Sequence, residues 1–193
     1  MCQKGYEATS MNDIADAVGL TKAGLYHYIR GKEDLLFQIM SYGMDMVEQD
    51  AIAPAKQTED AFERLRIIIS RHSKRVLEVG GAVSILLDEM YALTPAHRRV
   101  IKARKRAYFE LIRETLGQLA AEGRLRNVSP TVATFCLLGV INWVSRWYRQ
   151  DGRLTSEQIL GDILEIGLNA VLTDAAAQEM PMAAALPRNR AAR

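Results

Sequence analysis

The chain has 193 residues, two cysteines and a formal net charge of +2, and 49% of its residues are hydrophobic. This length suits one or two small domains with a real core, and the small net charge gives no argument for binding to nucleic acid or to a membrane. The longest apolar run, residues 132–144, is shorter than the roughly 20 residues that a membrane span needs. The opening residues do not resemble a signal peptide, and the cysteines are far apart. We therefore expect a cytoplasmic protein without disulfides, in which Cys136 is a buried thiol.

The apolar residues recur at spacings of three and four almost throughout, and they never alternate with polar residues for long, so the sequence predicts an all-α fold. Ser10 and Asp13 nearly form a capping box, and Pro95 and Pro130 are expected in first helical turns. Residues 51–60 are predicted to be a connection, the glycines at 80 and 81 a break, and residues 175–193 a disordered tail. In chain order, helices are expected at residues 10–19, 21–29, 32–49, 59–79, 82–93, 95–122, 130–149 and 156–172.

The second of these helices carries unusual residues for a buried element. Two short helices joined at residues 19–20 fit a helix-turn-helix, whose second helix enters the major groove of DNA. A helical wheel places Leu25, Ile29 and Thr21 on one side, which we expect to face the protein. The opposite side is small and polar, with a cation and a hydroxyl at its edges for base or phosphate contacts. It comprises Ala23, Gly24 and His27, flanked by Lys22 and Tyr26.

Residues 9–36, TSMNDIADAVGLTKAGLYHYIRGKEDLL, resemble the DNA-binding segment of the tetracycline-repressor (TetR) family of bacterial regulators. The resemblance implies a helix-turn-helix domain with its connecting helix at residues 1–49, and a helical ligand-binding and dimerisation domain at residues 50–174. It also implies phosphate contacts from Ser10 and Lys32. Base or phosphate contacts are implied for Lys22, Ala23, Gly24, Tyr26, His27 and Tyr28.

The family normally has another helix, preceded by a basic arm, before this segment, and the chain begins near where that helix should end. We therefore expect a truncated first helix, which would remove a covering layer from Ile14, Val18 and Leu25. Loss of such contacts costs on the order of several kcal/mol at a single core site. Either the start was chosen too late, or this version binds DNA weakly or not at all. The helix-turn-helix residues show no decay, which favours the first of these explanations.

The last two long helices have apolar faces wider than one partner helix needs. By resemblance to the family, two copies of the chain would bury this surplus in a four-helix homodimer interface; burial within one chain is the alternative. Trp143 and Trp147 share one helix face, where they could line a ligand pocket or simply pack. Residues 142–159 resemble regulators of the family that sense acyl-coenzyme A thioesters of lipid or sterol breakdown. With Asp88 and Tyr91, the two tryptophans are our candidate ligand-binding residues.

A basic segment follows Pro95. Six cations lie within nine residues: Arg98, Arg99, Lys102, Arg104, Lys105 and Arg106. Several share a face and could hold the phosphates of a nucleotide-like ligand. A solvated face paired with nearby acids is the alternative.

Catalysis is not indicated. The chain has three histidines, and His72 is expected to be a satisfied core residue. We find no metal-binding histidine pair, nucleophile elbow or glycine-rich phosphate loop, so we predict neither an enzyme nor a cofactor. The sequence favours a ligand-released repressor that binds a palindromic DNA operator as a homodimer. The expected effector is an acyl-coenzyme A or, second, a hydrophobic drug-like or steroid-like molecule. The alternative is a helical ligand-sensing or interaction dimer that has lost DNA binding with its first helix.

Overall fold

The structure is a computed structural model that describes residues 5–178, apart from the side chains of residues 80–82, 84 and 86. Its described part is helical as predicted, and the pairing of extended backbone within it is an isolated bridge between Leu125 and Leu172. Besides its α-helices it has a π-helical segment, Glu48–Ile52, and a 3₁₀ turn, Glu89–Ala92. The α-helices are α1 Met11–Ala17, α2 Lys22–Tyr26, α3 Lys32–Val47, α4 Ala53–Lys56, α5 Ala61–Asp88, α6 Pro95–Ala121, α7 Pro130–Trp147, α8 Ser156–Val171 and α9 Asp174–Gln178.

Local capping fixes the first two helices. The Ser10 hydroxyl accepts the Asp13 N–H at 3.1 Å, and the Asp13 carboxylate accepts the Ser10 N–H at 2.8 Å, which completes the predicted capping box. Gly19 ends this unit with a φ of 67°, which a residue with a side chain rarely adopts. The inward position predicted for Thr21 is wrong: its side chain is exposed and accepts the Gly24 N–H at 3.0 Å as the cap of α2.

The predicted connection at residues 51–60 is largely helical. The π-helical segment continues α3 into α4, and Ala51 and Ala55 are fully buried there. Pro54 comes just after the π-helical segment, at whose end the Ala53 N–H bonds the Glu48 carbonyl, so the missing N–H of Pro54 falls where the regular i→i+4 bonding is already interrupted. Burial against the rest of the protein outweighs the composition of this segment, which by itself indicates a loop.

The break predicted at residues 80–81 is confirmed as a kink: Val79 has non-helical dihedral angles (φ −125°, ψ 26°), and two helical parts of α5 meet there. Two other predictions need correction. Cys136 is exposed and not buried. Residues 175–178 belong to α9, where Ala176 is 2% exposed, so disorder from residue 175 was wrong for them. Residues 1–4 and 179–193, including Lys4 and the rest of the predicted tail, lie outside the described residues.

Three apolar clusters organise the chain. The largest joins α5 to α8 and includes Leu65, Ile112 and Leu168. The second attaches α3 to the end of α5 and the start of α6, and it includes Leu36, Met40, Ile85, Leu93 and Ile101. The third is small and joins α1 to α2 through Ala15, Leu25 and Ile29. The helix-turn-helix unit therefore rests on a thin core, whereas α3 is firmly anchored.

Candidate nucleic-acid interface and effector pocket

The outer side of α2 is largely exposed, as the wheel predicts. Leu25 and Ile29 are only 6% and 5% exposed and hold the helix to α1. Ala23 and His27 are exposed and Gly24 is half-buried. A Cβ on Gly24 would lie 3.2 Å from the Thr21 hydroxyl oxygen, so glycine here leaves room for the cap of α2. The helix thus offers a narrow, small-residue edge to a partner.

Polar groups flank this edge. Lys22 is exposed, as are the rings of Tyr26 and Tyr28 (46% and 74%). Beyond α2, the Lys32 ammonium lies at the start of α3, where it donates to the Glu7 carbonyl at 3.1 Å and sits 4.2 Å from the centre of the Tyr6 ring. An ammonium has three donors, so Lys32 can still reach a phosphate.

Two details bear on the other predicted contacts. The Ser10 hydroxyl donates to the Asp13 carboxylate at 2.6 Å, so its hydrogen is already directed away from a phosphate. Of the three residues predicted to lack a covering layer, Val18 is 58% exposed, Ile14 is half-buried and Leu25 is buried.

The helix that follows α2 is tied to the rest of the chain by polar contacts. The Glu33 carboxylate accepts the Thr94 N–H at 2.7 Å and lies 3.0 Å from His97 Nδ1. The His97 ring also stacks on Phe37 at 3.8 Å between centroids. A further bond joins the Tyr6 N–H to the Glu89 carboxylate at 3.1 Å. The start of α6 therefore holds α3 through polar contacts, and the 3₁₀ turn holds the residues before α1.

A pocket of about 320 Å³ opens between the end of α5 and α7. The Trp143 side chain lines it, and Asp88 forms an ion pair with Arg146, another lining residue. Its lining residues are Leu87, Phe135, Leu138, Gly139, Asn142, Trp143 and Arg146. Mostly apolar walls with a few polar groups are typical of small-molecule sites.

The structure brings together only part of the predicted ligand set. Of the four candidates, only Trp143 lines the pocket; Asp88 pairs with the lining residue Arg146, and Trp147 (48% exposed) and Tyr91 (86% exposed) are outside the lining. Tyr91 instead lies 5.7 Å from the Arg98 guanidinium. The sequence analysis did not include Phe135 and Asn142 among the pocket residues. Phe135 lies eight residues before Trp143, and Asn142 lies directly before it. Their positions on the same side of α7, together with Gly139 and Arg146, were the available signal.

Apolar side chains remain exposed along α7 and α8. They include Val132, Phe135, Val140, Trp143 and Trp147 on α7, and Ile166 on α8. Contiguous exposed apolar surface on a protein marks a site of interaction. The chain therefore does not bury these faces within itself.

Among residues 5–178, no cluster of His, Cys, Asp and Glu could hold a metal ion. Within the same part of the chain, no helix is long and apolar enough to cross a membrane.

Comparisons with known proteins agree with this arrangement. Residues 1–39 match the family model "Bacterial regulatory proteins, tetR family", and residues 58–171 match "Tetracyclin repressor-like, C-terminal domain". The crystal structure of AibR in complex with isovaleryl coenzyme A and operator DNA is 41% identical, with a TM-score of 0.79 over 86% of this chain and 90% of that one. PfmR, a TetR family regulator from Thermus thermophilus, is 30% identical, with a TM-score of 0.78 over 86% and 91% of the two chains.

A curated relative is the HTH-type transcriptional repressor KstR2 of Mycobacterium tuberculosis, which is 26% identical over 88% of this chain and 86% of its own. The two family models cover both halves of the chain, and AibR exceeds 30% identity over most of it. The chain therefore belongs to the TetR family of bacterial regulatory proteins, and it is a transcriptional regulator.

Proposed function

We propose that the protein is a homodimeric repressor that binds a palindromic operator through α2 and leaves it when an acyl-coenzyme A binds near α7. The observation that carries the proposal is the outer side of α2, which is open while Leu25 and Ile29 anchor the opposite side. The relatives support it, because KstR2 is a transcriptional repressor and AibR was crystallised with isovaleryl coenzyme A and operator DNA. A regulator of this kind needs no catalytic site, and it works in the cytoplasm, where its DNA lies.

In this proposal the small residues Ala23 and Gly24 let α2 approach base edges closely. Lys22, Tyr26, His27 and Tyr28 then contact bases or phosphates from the exposed edge and its flanks. Lys32 donates to the phosphate backbone, and Ser10 does so when its hydroxyl hydrogen turns from the Asp13 carboxylate to a phosphate oxygen. The small net charge of +2 means that DNA affinity depends on where these cations stand and not on overall charge.

The exposed apolar faces of α7 and α8 form the dimer interface. Two copies that pair these faces bury the rings and aliphatic groups which one copy leaves in water. Pairing two α2 helices in successive major grooves requires a separation of about 34 Å, one turn of DNA.

The effector enters the pocket beside Trp143, where Phe135 and Leu138 offer apolar contact to an acyl group. The pocket adjoins Asp88, the last residue of α5, and the next residue, Glu89, holds the Tyr6 N–H at 3.1 Å. Because α5, the 3₁₀ turn and α3 are packed in one cluster, a ligand that moves the end of α5 changes the position of α3. The bound ligand shifts the population towards a spacing of the two α2 helices that fits the operator poorly.

The test begins with selection of bound DNA from a random pool, which supplies an operator. Lys22→Ala and Tyr26→Ala should abolish the shift of that operator on a gel and leave the dimer intact on a sizing column. Lys74→Ala, which removes an exposed lysine from α5, is the matched control and should bind like the parent. If the two α2 variants bind the operator as well as the parent does, the recognition helix is wrongly placed.

A second candidate function is a ligand-sensing dimer that does not bind DNA. The exposure of Val18 (58%) and Leu20 (39%) favours it, because these apolar residues leave the helix-turn-helix core thin. The selection separates the two candidates: enrichment of a palindrome supports the repressor, and a pool that stays random supports the sensor.

A further inference from the structure

The basic segment of α6 contains cations of two kinds. Arg98 and Arg104 are held by the protein: Arg98 donates to the Leu93 carbonyl at 2.7 Å, and Arg104 pairs with Asp45 at 2.7 Å. The side chains of Arg99, Lys102, Lys105 and Arg106 form no ion pair or hydrogen bond with any described residue. A solvated face paired with nearby acids therefore does not describe these four.

The four free cations lie on one side of α6. At about 100° per residue they fall, with Phe109, within a sector about 120° wide. Lys105 occupies the edge of this sector next to the buried stripe that includes Ile101 and Tyr108. It is only half-exposed, and burial lowers the pKa of its ammonium. A partly buried lysine without a counter-ion is costly unless an anion binds it.

The helix sector that carries these cations adjoins the pocket. The Phe109 ring packs against Phe135, a lining residue, with 4.7 Å between ring centroids. Neighbouring helices joined by a short connection, as α6 and α7 are, run antiparallel. Residues that precede Phe109 in α6 therefore lie beside residues that follow Phe135 in α7. Lys105 lies about 6 Å and Lys102 about 10 Å along the axis from Phe109, at the levels of Gly139 and Asn142.

We propose that Lys102, Lys105 and Arg106 form a cationic track that binds the phosphates of the effector while its acyl group occupies the pocket. This inference rests on the proposed function, since it takes the effector to be an acyl-coenzyme A, whose nucleotide carries a pyrophosphate and a ribose phosphate. The two lysines act as point charges on the phosphates, and the Arg106 fork can bind two oxygens of one phosphate. The track makes the protein selective for thioesters of coenzyme A over the same acyl groups on a carrier without phosphates.

The test compares isovaleryl- and octanoyl-coenzyme A with the matching acyl-pantetheines, which lack phosphates. Dissociation constants are measured by calorimetry on the full chain. We expect the parent to prefer each coenzyme A thioester. Lys102→Gln, Lys105→Gln and Arg106→Gln should each weaken thioester binding about tenfold and leave acyl-pantetheine binding unchanged. Arg113→Gln is the control: it removes a cation of the same helix that follows Phe109, whereas the track residues precede it. It should change neither thioester binding nor acyl-pantetheine binding.

The outcomes are distinct. If coenzyme A thioesters bind but the track variants keep the parent's preference for them, the inference is overturned and the proposed function stands. If neither thioester binds the parent, the proposed effector class is wrong, and the inference that the track binds its phosphates is wrong as well. If the track variants lose operator affinity without any ligand, the cations contact DNA phosphates and the inference is again overturned. Lys105→Arg keeps the charge and should retain the preference for thioesters. That result would show that the weaker binding of Lys105→Gln comes from the lost charge and not from a folding defect.

Discussion

His72 makes the stability of the protein depend on pH in a way that can be calculated. It is 6% exposed in the core between α5 and α6, with Nδ1 3.2 Å from the Tyr108 hydroxyl. Burial lowers the pKa of His72 from 6.5 to about 4. Burial also raises the pKa of Tyr108, so the hydroxyl stays protonated beside the neutral imidazole.

The sign of the effect follows from the depressed pKa. As pH falls, the unfolded chain takes up a proton near pH 6.5, whereas folded His72 stays neutral until the pH nears 4. The stabilising contribution of the neutral ring is therefore complete above pH 6.5 and is lost as pH falls towards 4. With one proton, the free energy of unfolding decreases by up to about 1.4 kcal/mol per pH unit in this window, or about 2 kcal/mol between pH 7 and pH 5.

The assay is urea unfolding followed by far-ultraviolet circular dichroism at pH 7, 6 and 5, at one protein concentration, for the parent and His72→Gln. The glutamine keeps a polar partner for Tyr108 but does not titrate, so carboxylates elsewhere cancel in the comparison. The parent should lose about 2 kcal/mol more than the variant between pH 7 and pH 5. Parallel losses would show that the folded protein accommodates a charged His72, and the reasoning from burial would be wrong.

Three further changes test the packing of the chain. Glu33→Ala removes the acceptor of the Thr94 N–H and the partner of His97. We expect it to lower the free energy of unfolding in urea by about 1.5–2 kcal/mol. An unchanged unfolding midpoint would mean that this contact does not hold α3. Leu36→Ala opens a cavity at a fully buried site and should lower the free energy of unfolding by about 2–5 kcal/mol, measured in the same way, and a loss under about 1 kcal/mol would contradict the packing of the second cluster. Ile166→Glu places a charge on the exposed face of α8 and should convert the dimer to a monomer in light scattering, unless another surface forms the interface.

Much of the local structure can be predicted from the sequence because its causes lie within a few residues. The capping box at Ser10 and the first-turn positions of Pro95 and Pro130 follow from backbone donors and fixed φ angles. The orientation of α2 follows in the same way, since Leu25 and Ile29 are one turn apart. These features predict the candidate DNA-binding edge from the sequence alone.

What failed depends on distant neighbours. Residues 51–56 are helical because Ala51 and Ala55 are buried by other elements, which no local pattern records. Tyr91 was predicted to bind the ligand, yet the residue is 86% exposed and outside the pocket lining. Likewise, charge in α6 was evident, but which cations have partners was not, because Asp45 lies 59 residues from Arg104.

The sequence by itself determined that the chain is helical, where its short helices begin, and which edge of α2 faces outwards, because these depend on hydrogen bonds and spacings within one or two turns. Only the tertiary structure decided that Phe135 and Arg146 line a pocket, that Glu33 fastens α3 to α6, and that four cations of α6 remain unpaired among the described residues. These facts depend on which helices pack together, and that is set by the burial of apolar surface over the whole chain.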